Sequence, residues 1–162
     1  MLRTVTHDAD RRMWCGPTAI SAVTGAPTSK VFALADADRQ ARIDKGTWSI
    51  MGRSRSRSVK GMAHGELVNV LRALGHRVTL LVSNTTGERV PLGDFIRQHH
   101  RSDTAYIVAV RGHYLAVSGF MVVDSHSGGW PVWCYDRKRA MRQRVVWAVA
   151  VDAGLNGGVR RG

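Results

Sequence analysis

The spacing of apolar residues changes near the middle of this chain, from a helical period to the short runs and alternation of β-strands. Before the change, the pattern predicts three helices, over residues 16–25, 28–43 and 62–74. The first has Pro17 in its first turn and ends at Gly25. The hydroxyl groups of Thr28 and Ser29 are predicted to cap the second. The chain therefore begins as a set of amphipathic helices.

The second half of the chain is predicted to be mostly strands, with one short helix over residues 92–100. The predicted strands cover residues 77–82, 105–110, 114–117, 120–123, 132–135 and 145–151. Helices followed by strands that short turns connect are typical of an α+β domain. We therefore predict N-terminal helices packed on a C-terminal antiparallel sheet.

The length of 162 residues allows one domain with a substantial core, and we predict a single domain over residues 1–155. Residues 52–61 contain an Arg-Ser repeat without an apolar period, which predicts an exposed loop carrying Arg53, Arg55 and Arg57. Residues 156–162 are predicted to form a basic Gly/Arg tail.

Composition and cysteine usage exclude several classes of protein. The longest apolar runs are strand-length, so no membrane span is expected, and the absence of an apolar secretory segment at the start favours a cytoplasmic location. Only two cysteines occur, Cys15 and Cys134, and there is no Cys-x-x-Cys motif. We expect no disulfide framework, no bound metal and no other cofactor.

Cys15 lies in the segment Trp14-Cys15-Gly16-Pro17, where a loop becomes the first predicted helix. Free backbone amides and the dipole at a helix N-terminus stabilise an anion, first a thiolate and later an oxyanion. Gly16 beside the thiol would let a substrate carbonyl approach closely. The alternative is a small buried thiol without a chemical role.

A predicted β-hairpin in the second half supplies a histidine and a carboxylate for that thiol. With Ser118-Gly119 as its two-residue turn, Val117 faces Phe120 and His113 faces Asp124. Directly opposed residues share one face of a sheet, so the carboxylate can accept a hydrogen bond from the imidazole. An odd-length loop would turn one of the two groups to the other face.

These three residues form a candidate catalytic triad, because a reactive cysteine needs a histidine base that a third polar group orients. Taken singly, His113 could be a structural histidine at a sheet end and Asp124 a turn carboxylate. His126, in the loop after Asp124, is a reserve base if His113 points away.

The chain resembles the papain-like cysteine peptidase superfamily, in the motifs Cys15-Gly16-Pro17-x-Ala19 and Gly112-His113-Tyr114 and in the later Asp124. Bacteriocin leader peptidases are a similar branch. The layout also resembles that of small bacteriophage proteins that share a Gly-Thr stretch like Gly46-Thr47. The resemblance implies a papain-like fold and a phage-encoded enzyme in the host cytoplasm or the virion.

The resemblance also implies a role for each member of the triad. Cys15 would be the nucleophile, His113 the general base and then acid, and Asp124 the residue that orients the imidazole. The substrate would be a protein or peptide with a peptide or isopeptide bond that the enzyme cleaves. The released acyl group would pass to water or to an amine.

The sequence departs from the papain-like pattern just before the nucleophile. Those peptidases place an oxyanion-binding glutamine there, and none occurs in this chain. The Cys15 amide, His7 or Arg12 could replace it, or activity could be low or absent. Trp14 could line the substrate cleft or anchor the core beneath the helix.

A net charge of +12, mostly from arginine, favours nucleic acid or an acidic protein surface as a partner. Its alternative is a solvated surface without a partner. The second function hypothesis is accordingly an inactive papain-like protein, phage structural or host-directed, that binds such a partner through its basic clusters. The residues predicted for that surface are Arg53, Arg55, Arg57, Arg137, Lys138 and Arg139.

Overall fold

The computed structural model describes residues 1–47, 62–83, 89–100 and 104–152. Its helices are α1 (Cys15–Thr24), α2 (Thr28–Asp44), α3 (His64–Ala73), α4 (Leu92–His99) and α5 (Lys138–Met141). Its strands are β1 (Arg77–Val82), β2 (Ala105–Val110), β3 (His113–Ser118), β4 (Met121–Val123), β5 (Val132–Trp133) and β6 (Trp147–Asp152). The Arg-Ser segment with Arg53, Arg55 and Arg57, and the tail over residues 156–162, lie outside the described residues.

The six strands form one sheet in the order β1-β6-β2-β3-β4-β5, and every neighbouring pair is antiparallel. The last strand in sequence, β6, pairs with both β1 and β2 and is the second strand from one edge of the sheet. No helix within the described ranges is long and apolar enough to cross a membrane.

Two hydrophobic clusters cover the two faces of this sheet. The larger contains apolar residues of α1, α2 and α3, among them Ile20, Val31 and Leu67. The smaller contains apolar residues of α4, among them Leu92, Phe95 and Ile96. All six residues of β2 are buried between the clusters, which explains why this strand is a continuous apolar run rather than an alternating one.

The start of α2 is stabilised differently from the sequence prediction. Pro27 is the N-cap residue and no side chain caps it locally, so the predicted capping by the hydroxyl groups of Thr28 and Ser29 is wrong. Asp8 instead accepts hydrogen bonds from the Ser29 amide (2.8 Å) and the Ser29 hydroxyl (2.7 Å). A carboxylate twenty-one residues away thus holds the first turn.

The strand predicted over residues 132–135 is shorter in the structure. It ends at Trp133, and Cys134–Arg137 forms a 3₁₀ turn that leads directly into α5. The predicted strand is therefore wrong at Cys134 and Tyr135, because the chain must leave the sheet edge to begin the helix.

Candidate active site

Cys15 is the first residue of α1, and its side chain is largely buried. The first helical hydrogen bond runs from the Thr18 amide to the Trp14 carbonyl (3.0 Å), so the amides of Cys15 and Gly16 precede the helical ladder. Trp14 makes no side-chain capping bond, and the first turn contains no acidic residue. The backbone N–H groups that a Ser or Asp N-cap would bind are therefore uncapped at the helix end that carries the sulfur.

Gly16 lies where α1 packs closely against its neighbours. A Cβ atom at this position would lie 3.1 Å from the Cβ of Met62 and 3.6 Å from the ring of Tyr114. The absent side chain therefore lets α1 approach Met62 closely. The predicted role of Gly16 in admitting a substrate carbonyl stays a prediction.

The β3–β4 hairpin has a different turn from the predicted one. Ser118 pairs with Met121, so Gly119 and Phe120 form the turn, with Gly119 at φ +57°. A turn of type II′ needs positive φ only at its first central residue, which explains why glycine occupies that place. The predicted pairing of Val117 with Phe120, and of His113 directly with Asp124, is wrong.

The register error is two residues, and an even shift leaves the two functional side chains on the same face of the hairpin. Nε2 of His113 and Oδ2 of Asp124 are 2.9 Å apart, so the expected hydrogen bond is present. This bond leaves Nδ1 as the ring nitrogen of His113 that can interact with a thiol.

Asp124 is completely buried and accepts hydrogen bonds from three groups. Besides His113, the Ser127 amide donates to Oδ1 (2.7 Å) and Nη2 of Arg137 donates to Oδ2 (2.8 Å). Burial acts to raise the pKa of Asp124, but these bonds and the charge of Arg137 outweigh it and lower the pKa. Asp124 is therefore a carboxylate at neutral pH.

His113 interacts with both other members of the predicted triad. Burial acts to lower its pKa, but hydrogen bonds to Asp124 and to Cys15, with the charges of both, raise the pKa of His113 to about 9. The imidazole is therefore protonated at neutral pH.

The two side chains proposed to replace the missing glutamine lie in different surroundings. Nδ1 of His7 lies 3.1 Å from the hydroxyl oxygen of Thr28, at the start of α2. Arg12 is exposed to solvent. The amides of Cys15 and Gly16 are the donors adjacent to the sulfur by their place in the chain.

Trp14 and His126 each contact one aromatic neighbour. The ring of Trp14 packs edge-on against Phe32 of α2, with centroids 5.9 Å apart, as expected for the core-anchor alternative. The exposed ring of His126 lies 4.8 Å from the ring of His113. The structure thus places His126, the predicted reserve base, beside His113.

A hydrogen-bonded pair near Cys15, Tyr114 with His64, was not predicted from the sequence. The hydroxyl group of Tyr114 and Nδ1 of His64 are hydrogen-bonded at 2.6 Å, and the imidazole stacks on Trp147. Burial, followed by the charges of Cys15 and Glu66, raises the pKa of Tyr114. Tyr114 is therefore a neutral phenol, and its position next to His113 in sequence was the only available signal.

Among solved structures, the chain is similar to the peptidase domain of Streptococcus ComA, described as a bifunctional ABC transporter involved in a quorum-sensing pathway. The match covers 93% of this chain and 98% of that domain, with 14% identity and a TM-score of 0.53. No family model and no curated protein matches the chain. The fold is that of a papain-like peptidase domain. The predicted α+β, papain-like class is thus confirmed.

The basic residues predicted for a binding surface divide into two groups in this papain-like fold. Lys138 and Arg139 are exposed, whereas Arg137 is partly buried and donates to Asp124. Arg137 is therefore part of the site around the candidate triad.

Within the described ranges, no three His, Cys, Asp or Glu side chains are grouped closely enough to hold a metal ion.

Proposed function

We propose that this protein is a papain-like cysteine peptidase in which Cys15, His113 and Asp124 are the catalytic triad. The observation that carries the proposal is the linked arrangement at the start of α1. Nε2 of His113 is hydrogen-bonded to the buried carboxylate of Asp124 at 2.9 Å, and Cys15, the first residue of α1, is among the groups that raise the pKa of His113. The fold similarity to a peptidase domain supports the same class of activity.

The first half of the reaction forms a thioester. The Cys15 thiolate attacks the carbonyl carbon of a peptide bond, and the carbonyl oxygen becomes an oxyanion. Protonated His113 then transfers its proton to the departing nitrogen, the carbon–nitrogen bond breaks, and an amine leaves. The acyl group stays on the sulfur, and the imidazole is now neutral.

The second half of the reaction releases the acid. Neutral His113 accepts a proton from a water molecule, whose oxygen attacks the thioester carbon. The carbon–sulfur bond breaks, a carboxylic acid is released, and thiolate and imidazolium are restored. An amine in place of water would give transfer, and Asp124 holds the imidazole in one orientation throughout.

The amides of Cys15 and Gly16 are the proposed oxyanion donors. They precede the first helical hydrogen bond, and no local side chain caps them. A papain-like site without its glutamine keeps the backbone amide donors and loses the side-chain amide donor. Loss of one such donor lowers kcat about 100- to 1,000-fold in a serine protease, so we expect slow turnover.

A peptide library incubated with the purified protein, with cleavage products identified by mass spectrometry, tests this proposal. We expect cleavage by the wild-type protein, none by Cys15→Ala, and unchanged cleavage by the matched control Cys134→Ala. Cleavage that persists in Cys15→Ala would contradict the proposed nucleophile.

A second candidate function, single-stranded nucleic-acid binding, is favoured by one exposed surface. Tyr135 is 46% exposed and lines a cleft of about 470 Å³ with Lys138, Arg142 and Arg97, of which Arg97 is paired with Asp94. The exposed ring of Trp133 lies 6.0 Å from that of Tyr135. Rings for base stacking beside cations for phosphate are what such binding uses.

Oligonucleotide titration followed by tryptophan fluorescence tests this second function. Binding at low salt that weakens steeply as salt rises, and that falls in Tyr135→Ala, would support it. Absence of binding at low ionic strength would remove it.

A further inference from the structure

A strongly cationic cleft of about 620 Å³ opens beside the imidazole of His113. His126 also lines it, and its only carboxylate among the described residues is Asp136. The cations that line it are Arg111, Arg137, Lys138 and Arg139. Positive charge therefore exceeds negative charge along the wall next to the candidate catalytic histidine.

Three of these four cations are available to a ligand. Arg137 donates to the buried carboxylate of Asp124, so part of its charge is already compensated. Arg111, Lys138 and Arg139 are exposed, and none forms an ion pair with another described residue. Their like charges lie around one cleft without a partner from the described part of the fold.

We propose that this cleft binds an acidic segment of the substrate, adjacent to the bond that is cleaved. The inference rests on the proposed function, because it specifies which peptides that site accepts. Guanidinium groups bind carboxylates with two parallel hydrogen bonds, which the neutral amides of Asn and Gln side chains do not reproduce at equal strength. Peptides with Asp or Glu beside the scissile bond are thus the preferred substrate class.

The lining favours peptide carboxylates over nucleic acid at this cleft. No Phe, Tyr or Trp side chain lines it in the described ranges, so bases could stack there only on the smaller imidazole rings of His113 and His126. The exposed ring of Tyr135 lines the other cleft, together with Arg97 and Arg142. The two clefts share Lys138 but differ in the ligand chemistry that they provide.

Fluorescence anisotropy on the Cys15→Ala protein measures binding without cleavage. The probes are a labelled peptide containing an Asp/Glu run and the same peptide with Asn/Gln in its place. We expect the acidic peptide to bind on the order of tenfold more tightly, less so as salt rises. Arg111→Glu and Arg139→Glu should each abolish most of that preference. Lys30→Glu, at an exposed position of α2, makes the same charge change and should preserve it.

Turnover separates this inference from the proposed function. In otherwise wild-type protein, the ratio of kcat/KM for the acidic peptide to that for the neutral one should fall on the order of tenfold in Arg139→Glu and stay constant in Lys30→Glu. If no peptide is cleaved, the proposed function fails, and the binding comparison alone decides the inference.

Two results would overturn the inference. One is equal binding of the acidic and neutral peptides by the Cys15→Ala protein. The other is tighter binding of a single-stranded oligonucleotide than of the acidic peptide, lost in Arg139→Glu but kept in Arg142→Glu, which would assign the cleft beside His113 to nucleic acid.

Discussion

Asp124 connects two cations through one oxygen atom. Its Oδ2 accepts from Nε2 of His113 at 2.9 Å and from Nη2 of Arg137 at 2.8 Å, while the Ser127 amide holds the other oxygen. The carboxylate thus fixes the orientation of the imidazole and supports its positive charge. The pKa of His113 should depend directly on this one group.

The variant Asp124→Asn tests that dependence, because it keeps the shape of the side chain and removes its charge. We expect the pKa of His113 to fall from about 9 towards its ordinary value of 6.5. The measurement is an NMR titration of the imidazole ring. The control is Asp136→Asn, an exposed carboxylate nearby that should leave the pKa almost unchanged, and an equal effect of both variants would refute the specific role of Asp124.

The raised pKa of His113 also predicts how stability depends on pH. A folded-state pKa of about 9 lies above the ordinary 6.5, so the folded protein binds the proton more tightly. The resulting stabilisation is fully present below pH 6.5 and is lost as the pH rises through about 9. The free energy of unfolding of wild type minus that of His113→Gln should therefore shrink across this interval. A difference that stays constant from pH 6 to about 9.5 would count against it.

The sequence was sufficient to predict that His113 and Asp124 share one face of the hairpin, because hairpin parity is a local property. The triad with Cys15 stays a prediction. The sequence was insufficient for Arg137, which looked like one more exposed cation. The contact of Arg137 with Asp124 depends on the path of the chain between β4 and α5, which no periodicity encodes. The pairing of Tyr114 with His64 was missed for the same reason.

At the scale of helices, the approach of α1 to Met62 depends on Gly16. In Gly16→Ala the new methyl group would lie 3.1 Å from the Met62 Cβ, so we expect a loss of about 1 to 3 kcal/mol in the free energy of unfolding. The control is Gly65→Ala in α3, where a methyl group would meet only one side-chain atom, at 3.9 Å. That variant should gain up to about 1 kcal/mol. Denaturant unfolding of both proteins checks the prediction, and equal stabilities would contradict it.

An ion pair between Arg39 and Glu66 joins α2 to α3, and its carboxylate is more buried than that of the Arg42–Asp38 pair within α2. Nε of Arg39 lies 2.5 Å from Oε1 of Glu66, whose side chain is 2% exposed. Nε of Arg42 lies 2.9 Å from Oδ2 of Asp38, which is 19% exposed. The two arginines are almost equally exposed, so they form a matched pair.

Removal of each arginine should therefore have unequal effects. Arg39→Ala leaves a buried carboxylate without its counterion, and we expect it to cost about 3 kcal/mol in the free energy of unfolding. Arg42→Ala removes a more exposed pair within one helix and should cost less than about 1 kcal/mol. Thermal and denaturant unfolding measure both, and a larger loss for Arg42→Ala would show that burial of Glu66 does not matter.

Most helices and strands were predictable from the sequence to within a few residues, because their apolar periods are strong. The turn of the β3–β4 hairpin was not, since Ser118-Gly119 and Gly119-Phe120 both satisfy the alternation pattern. Only the requirement for positive φ at the first turn residue separates them. The cap of α2 by Asp8 was missed because it is a tertiary contact.

At the scale of the whole molecule, the fold brings together residues that are far apart in sequence. Cys15 lies on the helix that packs against the sheet from one side, and His113 and Asp124 lie at the ends of two of its strands. In that sheet β6 lies between β1 and β2, and local sequence patterns do not predict this order. The similarity to a peptidase domain at 14% identity shows that this architecture tolerates wide sequence change.

The rate at which iodoacetamide alkylates Cys15 relative to Cys134 tests the central claim most directly. Both thiols are buried, but burial raises the pKa of Cys134, whereas Cys15 has protonated His113 beside it. We predict that Cys15 reacts at least roughly tenfold faster at pH 7, and that His113→Gln removes this advantage. Equally slow alkylation of both thiols in the folded wild-type protein would contradict the account.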